Sequence, residues 1–242
     1  MGVLGAGVMG SGIAQVMATA GHEVTCYDVV PEALTSAREQ VDSGRFGIRS
    51  AVDRGKLTAT DAAAALARLH FTPDVESVYE TDIVIEAVPE RFDLKVVTFR
   101  ELDRRCPTQT ILASNSSGFA ISALAAATDR ADKVVGWHWA SPAPVMKMAE
   151  IVRAPSTSDE TVETVVQLAR RAGKNPVVVK DAPMSWGYVA NRVYAAMIRE
   201  ADRVANEGVA SREEIDRLMM DCFRWPAGPF GMTRGATTGW SS

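Results

Sequence analysis

Positive charge is thin and scattered in this chain: 26 Lys and Arg against 30 Asp and Glu leave a formal net charge of −4, with no basic cluster. That balance argues against a surface built for nucleic acid or an anionic membrane. Cysteine is scarce too. Cys26, Cys106 and Cys222 match no metal-ligand or redox spacing, and an odd number of thiols fits a reducing compartment. No apolar run is long and charge-free enough to span a bilayer, and no internal repeat or low-complexity segment stands out. The apolar start ends in Ala18-Thr19-Ala20, which superficially resembles a leader with its cleavage site, but a basic n-region is missing. A cytoplasmic protein is therefore expected, with the Asn115-Ser116-Ser117 sequon left unglycosylated. What is present is 242 residues at 47% hydrophobic content, enough for a full core and for one large and one small domain.

The most informative stretch is the first. An apolar strand runs into Gly5-Ala6-Gly7-Val8-Met9-Gly10, which fits G-x-G-x-x-G and is followed by a helical pattern through Ile13, Val16, Met17 and Ala20. One glycine serves the tight turn, one lets backbone approach a pyrophosphate, and one lets helix and strand pack closely. The amides of the helix start then face the phosphates. A second strand, Glu23 to Tyr27, ends in Asp28, about where an acid binds a ribose 2′-hydroxyl in this pattern. No Lys or Arg directly follows Asp28, so the expected cofactor is NAD rather than NADP.

Further along, Pro31 opens a helical region that runs, with breaks at Gly44, Gly47 and Gly55, to about Arg54. Its basic side chains, among them Arg38, Arg49, Arg54 and Lys56, read first as a solvated helix pair and second as an anion-binding arm. Thr60-Asp61 is expected to cap a short alanine-rich helix. Asp82 to Val88 is a continuous apolar run of parallel-strand type whose end carries Glu86, Pro89 and Glu90. The strand Thr110 to Ala113 delivers Ser114-Asn115-Ser116-Ser117-Gly118, either a ligand-binding cluster at a strand end or a polar turn that caps the next helix.

The strand Lys133 to His138 ends on one of only three histidines, turns through Pro142 and Pro144, and returns as Val145 to Val152. Glu150 lies inside that returning apolar strand and must find a partner there, because burying a lone carboxylate is costly. His138 is the candidate, and a carboxylate on one ring nitrogen fixes which tautomer the other presents. That is how a general base is oriented. An α/β domain over residues 1–183 is expected, then an all-helical one over 184–242, in which Ser211-Arg-Glu-Glu214 forms a capping box and the stretch from Pro226 on packs poorly by itself.

Taken together, these residues resemble the L-3-hydroxyacyl-CoA dehydrogenase family of fatty-acid β-oxidation. The resemblance covers Gly2 to about Phe230 and rests on GAGVMGSGIAQ, DIVIEAVPE, ILASNSS, the His138 segment with PVMKMAEI, GYVANR around Asn191, and WPAGPF. It implies a Rossmann-type doubly wound, mostly parallel sheet followed by a small helical domain. It implies His138 as the base toward the substrate's 3-hydroxyl, Glu150 orienting the imidazole, and Ser117 and Asn191 holding the substrate oxygen. Gly5, Gly7, Val8, Met9, Gly10 and Asp28 would bind NAD, with Glu90, Lys95, Asn115 and Ser117 near its nicotinamide half. No metal is called for; the partners implied are an acyl-CoA and a second copy of the chain, joined through the helical domain.

Three departures stand out. His138-Trp-Ala-Ser141-Pro142 replaces the usual His-Phe-Phe-Asn-Pro, Met184-Ser-Trp186 is extra before Gly187, and the chain stops soon after Gly228-Pro-Phe, where family members continue through more helices. The helical domain is therefore expected to be incomplete alone and to depend on a tight dimer. Two alternatives stay open: a relative that oxidises a free hydroxy acid of the carnitine or gulonate type, and a non-catalytic NAD-binding relative. The His138/Glu150 pair argues against 6-phosphogluconate-type enzymes, which use a lysine base.

Overall fold

Continuous apolar strands interleaved with amphipathic helices give a parallel sheet covered on both faces. The computed structural model describes residues 1–238, and their side chains as far as Thr233. The chain runs β1 (Gly2–Leu4), α1 (Val8–Thr19), β2 (Val24–Tyr27), α2 (Pro31–Ser43), α3 (Ile48–Asp53), α4 (Ala59–Ala67), β3 (Leu69–Thr72), α5 (Glu76–Tyr79), β4 (Ile83–Glu86), α6 (Phe92–Arg105) and β5 (Ile111–Ser114). It continues through α7 (Ile121–Ala125), β6 (Val134–Trp139), β7 (Met148–Arg153), α8 (Asp159–Arg171), β8 (Asn175–Lys180), α9 (Val189–Asn206), α10 (Arg212–Phe223) and α11 (Pro229–Thr238).

The eight strands form one sheet in the order β3-β2-β1-β4-β5-β6-β7-β8. Among the described residues, only the β6–β7 pairing is antiparallel. Successive residues of a strand feed opposite faces: in β4, Ile83 and Ile85 join a core with Ile13 and Met17 of α1 and Val165 of α8. Val84 faces the other way, with Phe99 and Leu102 of α6 and Ile121 and Leu124 of α7. The order reverses between β1 and β4, and the crevice beyond the carboxyl ends of such strands is where open α/β sheets bind ligands.

The chain divides into two compact units, Met1–Tyr188 and Val189–Ser242. In the second, Ala201, Ile215 and Phe230 form a small core, and Ser211 and Glu214 make the reciprocal capping box.

Two expectations are corrected. The alanine-rich helix is capped by Thr58, whose Oγ1 accepts from the Asp61 amide at 3.1 Å, because a cap must precede by two or three residues the amide it serves. The stretch from Pro226, expected to pack poorly, contains α11: Asp216 accepts the amides of Phe230 (2.8 Å) and Gly231 (2.9 Å). Those first-turn donors have no acceptor within the helix, so a carboxylate from α10 secures its start. Residues 239–242 lie outside the described residues.

Candidate active site

The glycine turn leaves β1 with Gly5 at φ +98°, a conformation few L side chains adopt. A Cβ on Gly10 would stand 1.7 Å from the Gly5 carbonyl oxygen, whereas one on Gly7 would meet nothing within 4 Å. Gly10 therefore serves helix–strand packing, and the space at Gly7 is left for something other than protein. The start of α1 has no capping side chain and no acidic residue in its first turn, which suits an anion at Val8, Met9 and Gly10. At the end of β2, Asp28 accepts from the Ala6 amide (2.8 Å) and the Val30 amide (2.9 Å), so its carboxylate is held rigidly beside the turn. Gly7 and Asp28 edge a cavity of about 610 Å³ walled by apolar side chains that include Val30, Val88 and Leu94. A nucleoside fits there: an apolar slot for a base, a fixed carboxylate for a ribose and helix amides for phosphates.

Beyond β4, Lys95 of α6 reaches back under the strand ends with its side chain 1% exposed. Its Nζ donates to Glu86 Oε1 (2.5 Å) and lies 3.1 Å from Glu90 Oε2. Burial pushes the Glu86 carboxyl up, against the opposing pull of Lys95. Glu90 Oε1 accepts from Ser116 Oγ (2.6 Å) and from the Ser117 amide (2.8 Å). Asn115 Oδ1 accepts from the Trp139 amide (3.1 Å), which joins the β5 loop to the residue after His138.

His138 and Glu150 are direct partners in the antiparallel β6–β7 ladder. Both are buried, and Glu150 Oε2 lies 2.7 Å from His138 Nδ1. With Nδ1 on the carboxylate, Nε2 is the nitrogen left for proton chemistry. The Tyr188 ring stands edge-on to the imidazole at 5.7 Å, and its hydroxyl donates to Phe119 O (2.7 Å).

The structure thus gathers the glycine turn and Asp28 in one place, and Glu90, Lys95 and the Ser117 backbone in another, the latter tied through Asn115 to the His138 strand. Asn191 is the third residue of α9, in the second unit. Sequence reasoning named Glu86 at its strand end without giving it a role, and passed over Tyr188. Glu86 carried the same signal as Glu150, an acid inside an apolar strand, whereas nothing local marked Tyr188.

A second cavity, about 450 Å³, is lined by Arg54, Lys56, Lys147, Arg171 and Lys174, and no acidic residue is among its lining residues. Lys147 lies on the turn that leaves His138 and returns to Glu150. Lys174 is 6% exposed and donates to the carbonyls of Ala143 (2.6 Å) and Met146 (2.8 Å) on that turn. Burial, then repulsion from Lys147, pulls its ammonium down to about 8. Within the basic stretch read first as a solvated helix pair, Arg49 pairs with Asp42 at the surface, while Arg54 and Lys56 line this cavity.

Residues 1–182 match the model of the 3-hydroxyacyl-CoA dehydrogenase NAD binding domain, and residues 187–241 that of the family's C-terminal domain. The probable 3-hydroxybutyryl-CoA dehydrogenase of Bacillus subtilis is 42% identical over 230 residues, 95% of this chain and 78% of that protein. The 3-hydroxyadipyl-CoA dehydrogenase of Escherichia coli is 40% identical over 231 residues, 96% of this chain and 47% of that one. The crystal structure of (S)-3-hydroxybutyryl-CoA dehydrogenase from Ralstonia eutropha superposes with a TM-score of 0.89 at 41% identity, covering 94% of this chain and 78% of that one.

Proposed function

The chain belongs to the 3-hydroxyacyl-CoA dehydrogenase family, and from that premise we propose that it oxidises the 3-hydroxyl of an L-3-hydroxyacyl-CoA to the 3-keto thioester with His138 as general base. The observation that carries this reading is the buried His138 Nδ1–Glu150 contact of 2.7 Å at the β6–β7 ladder. NAD, the family's cofactor, supplies the hydride acceptor when bound. The chain's own residues manage the proton and the positioning. Nε2 of His138 takes the hydroxyl proton, and Glu150 holds the ring in the tautomer that leaves Nε2 unprotonated and stabilises the imidazolium as it forms. Ser117 and Asn191 are assigned to the substrate oxygen, and Glu90, Lys95 and Asn115 to the surroundings of the nicotinamide. Gly5, Gly7, Val8, Met9, Gly10 and Asp28 bind the adenosine and pyrophosphate half, which agrees with the cavity beside the glycine turn.

A CoA thioester is favoured over a free hydroxy acid by the cationic cavity walled by the His138–Glu150 turn. Three phosphate groups on the substrate need such a surface; a carnitine- or gulonate-sized acid does not. Replacing Arg54 or Lys56 by Ala is expected to raise KM for a 3-hydroxyacyl-CoA roughly tenfold, the loss of one charge-assisted hydrogen bond of ~1.5 kcal/mol, with KM for NAD unmoved. Unchanged KM in both variants would place the CoA phosphates elsewhere. Lys174 adds a pH dependence: it is cationic below about 8 and loses its charge as pH rises through that value, so KM for the thioester should climb about threefold between pH 7 and 9. A Lys174→Met variant should show that climb no longer; a persisting climb would trace it to another group.

The second unit supports the reading of a homodimer. Val189 and Val193 of α9 and Leu218 and Phe223 of α10 are each more than half exposed, an apolar surface of the kind that oligomers cover. A cytoplasmic location agrees with three free thiols and with the finding that no helix among the described residues is long and apolar enough to cross a membrane.

A further inference from the structure

Lys95 has three N–H groups, and each has an acceptor: Glu86 Oε1 at 2.5 Å, Glu90 Oε2 at 3.1 Å and Val88 O at 3.4 Å. Buried and fully engaged, it acts through those acceptors. Glu86 has no exposed surface and anchors the other side: Oε1 also accepts from the Val88 amide (2.9 Å), and Oε2 from Ser114 Oγ (2.7 Å). Ser114 Oγ in turn accepts from the Ser116 amide (3.1 Å). Ser116 Oγ donates to Glu90 Oε1 and accepts from the amides of Gly118 (3.2 Å) and Phe119 (3.0 Å). The contacts therefore close into a ring, Glu86–Lys95–Glu90–Ser116–Ser114–Glu86, that frames the loop carrying Asn115 and Ser117.

We propose that Glu86 is a positioning residue of the reaction, the buried anchor of this ring, which fixes the Ser117 backbone through Glu90 and so sets the Ser117 hydroxyl for the substrate oxygen. The proposal rests on the assignment of Ser117 made above. Its physical ground is the composition of the ring. Two carboxylates around one ammonium, with Glu86 and Lys95 wholly withdrawn from water, add little to stability compared with apolar residues of the same volume. What such a ring supplies is direction. The backbone amides of Ser116, Ser117, Gly118 and Phe119 are all fixed by its members, and a misplacement of a positioning loop by about 1 Å costs up to ~100-fold in rate.

The test uses the full chain with Glu86→Gln and the double variant Glu86→Gln/Lys95→Met. The single variant leaves the buried Lys95 ammonium with Glu90 as its one carboxylate partner, and its Tm should fall; the double removes that buried ammonium, and its Tm should recover. In both, kcat with 3-hydroxybutyryl-CoA should fall ~10–100-fold while KM for the thioester stays within about threefold, because the phosphates bind elsewhere. Hydrogen exchange of the Ser117 amide should accelerate at least ~10-fold in both. A double variant that regains wild-type kcat along with its Tm would overturn the proposal, since the ion pair would then be structural alone. So would unchanged protection at Ser117. If the wild type oxidises no 3-hydroxyacyl-CoA, the proposed reaction falls, and the exchange measurement still decides whether Glu86 holds the loop.

Discussion

Replacing His138 by Gln is expected to leave NAD binding as it is and to lower kcat at least ~100-fold, the usual contribution of a general base. Gln is chosen because its amide N–H can still donate to Glu150, so the buried carboxylate keeps a partner and the fold should not suffer the penalty of an unpaired buried charge. What Gln lacks is a basic nitrogen toward the substrate. The Asp28 cavity, with the glycine turn at its edge, is lined from β1, β2, α2, α5 and α6, whereas His138 lies on β6, so cofactor affinity and turnover should separate cleanly. Activity equal to wild type in this variant would mean that the base is another group, or that the reaction measured is not this one.

Two glycines of one turn should fail in opposite ways. A methyl on Gly10 would lie 1.7 Å from the Gly5 carbonyl oxygen, inside any allowed contact, and that oxygen belongs to rigid backbone. Gly10→Ala is therefore expected to push α1 off β1, costing about 3 kcal/mol, which for a chain of this size lowers Tm by roughly 6–12 °C, and to abolish NAD binding. A methyl on Gly7 meets no protein atom within 4 Å, so Gly7→Ala should melt within about 2 °C of wild type and yet bind NAD at least ~10-fold more weakly, because backbone can no longer approach the pyrophosphate. Calorimetry and a fluorescence titration of NAD on the two variants check both halves. If Gly7→Ala bound NAD normally, the glycine turn would not be the phosphate site.

The parts of this fold that were legible in the sequence are those with a local cause. The glycine turn, the acid at the end of β2, and the doubly covered strands each announce themselves within a dozen residues, and the structure has the α/β sheet and helical second unit they imply. Even the meeting of His138 with Glu150 had a near cause: two prolines in a short connection turn β6 back on itself, and the antiparallel register does the rest. Position within a local motif was harder. The cap at Thr58 was displaced by two residues, and α11 was missed because its start is secured by Asp216, 14 residues away in sequence. Least legible were sites assembled from distant segments. The cationic cavity needs α1, the residues after α3, the turn after β6 and the α8–β8 connection brought together, and no spacing in the sequence connects Arg54 with Lys174. The Glu86 ring likewise joins β4, α6 and the end of β5; its members were each visible, but their closure was not.

The central claim, that NAD would take the hydride from C3 of a CoA thioester while the buried His/Glu pair takes the proton of its 3-hydroxyl, is tested most directly by the steady-state rate of NADH formation from 3-hydroxybutyryl-CoA set against free 3-hydroxybutyrate, carnitine and gulonate. The account predicts that kcat/KM for the thioester exceeds that for each free acid by at least ~100-fold, because binding energy from the remote CoA is used at the reacting centre. Turnover of the free acids alone, with none of the thioester, would contradict it.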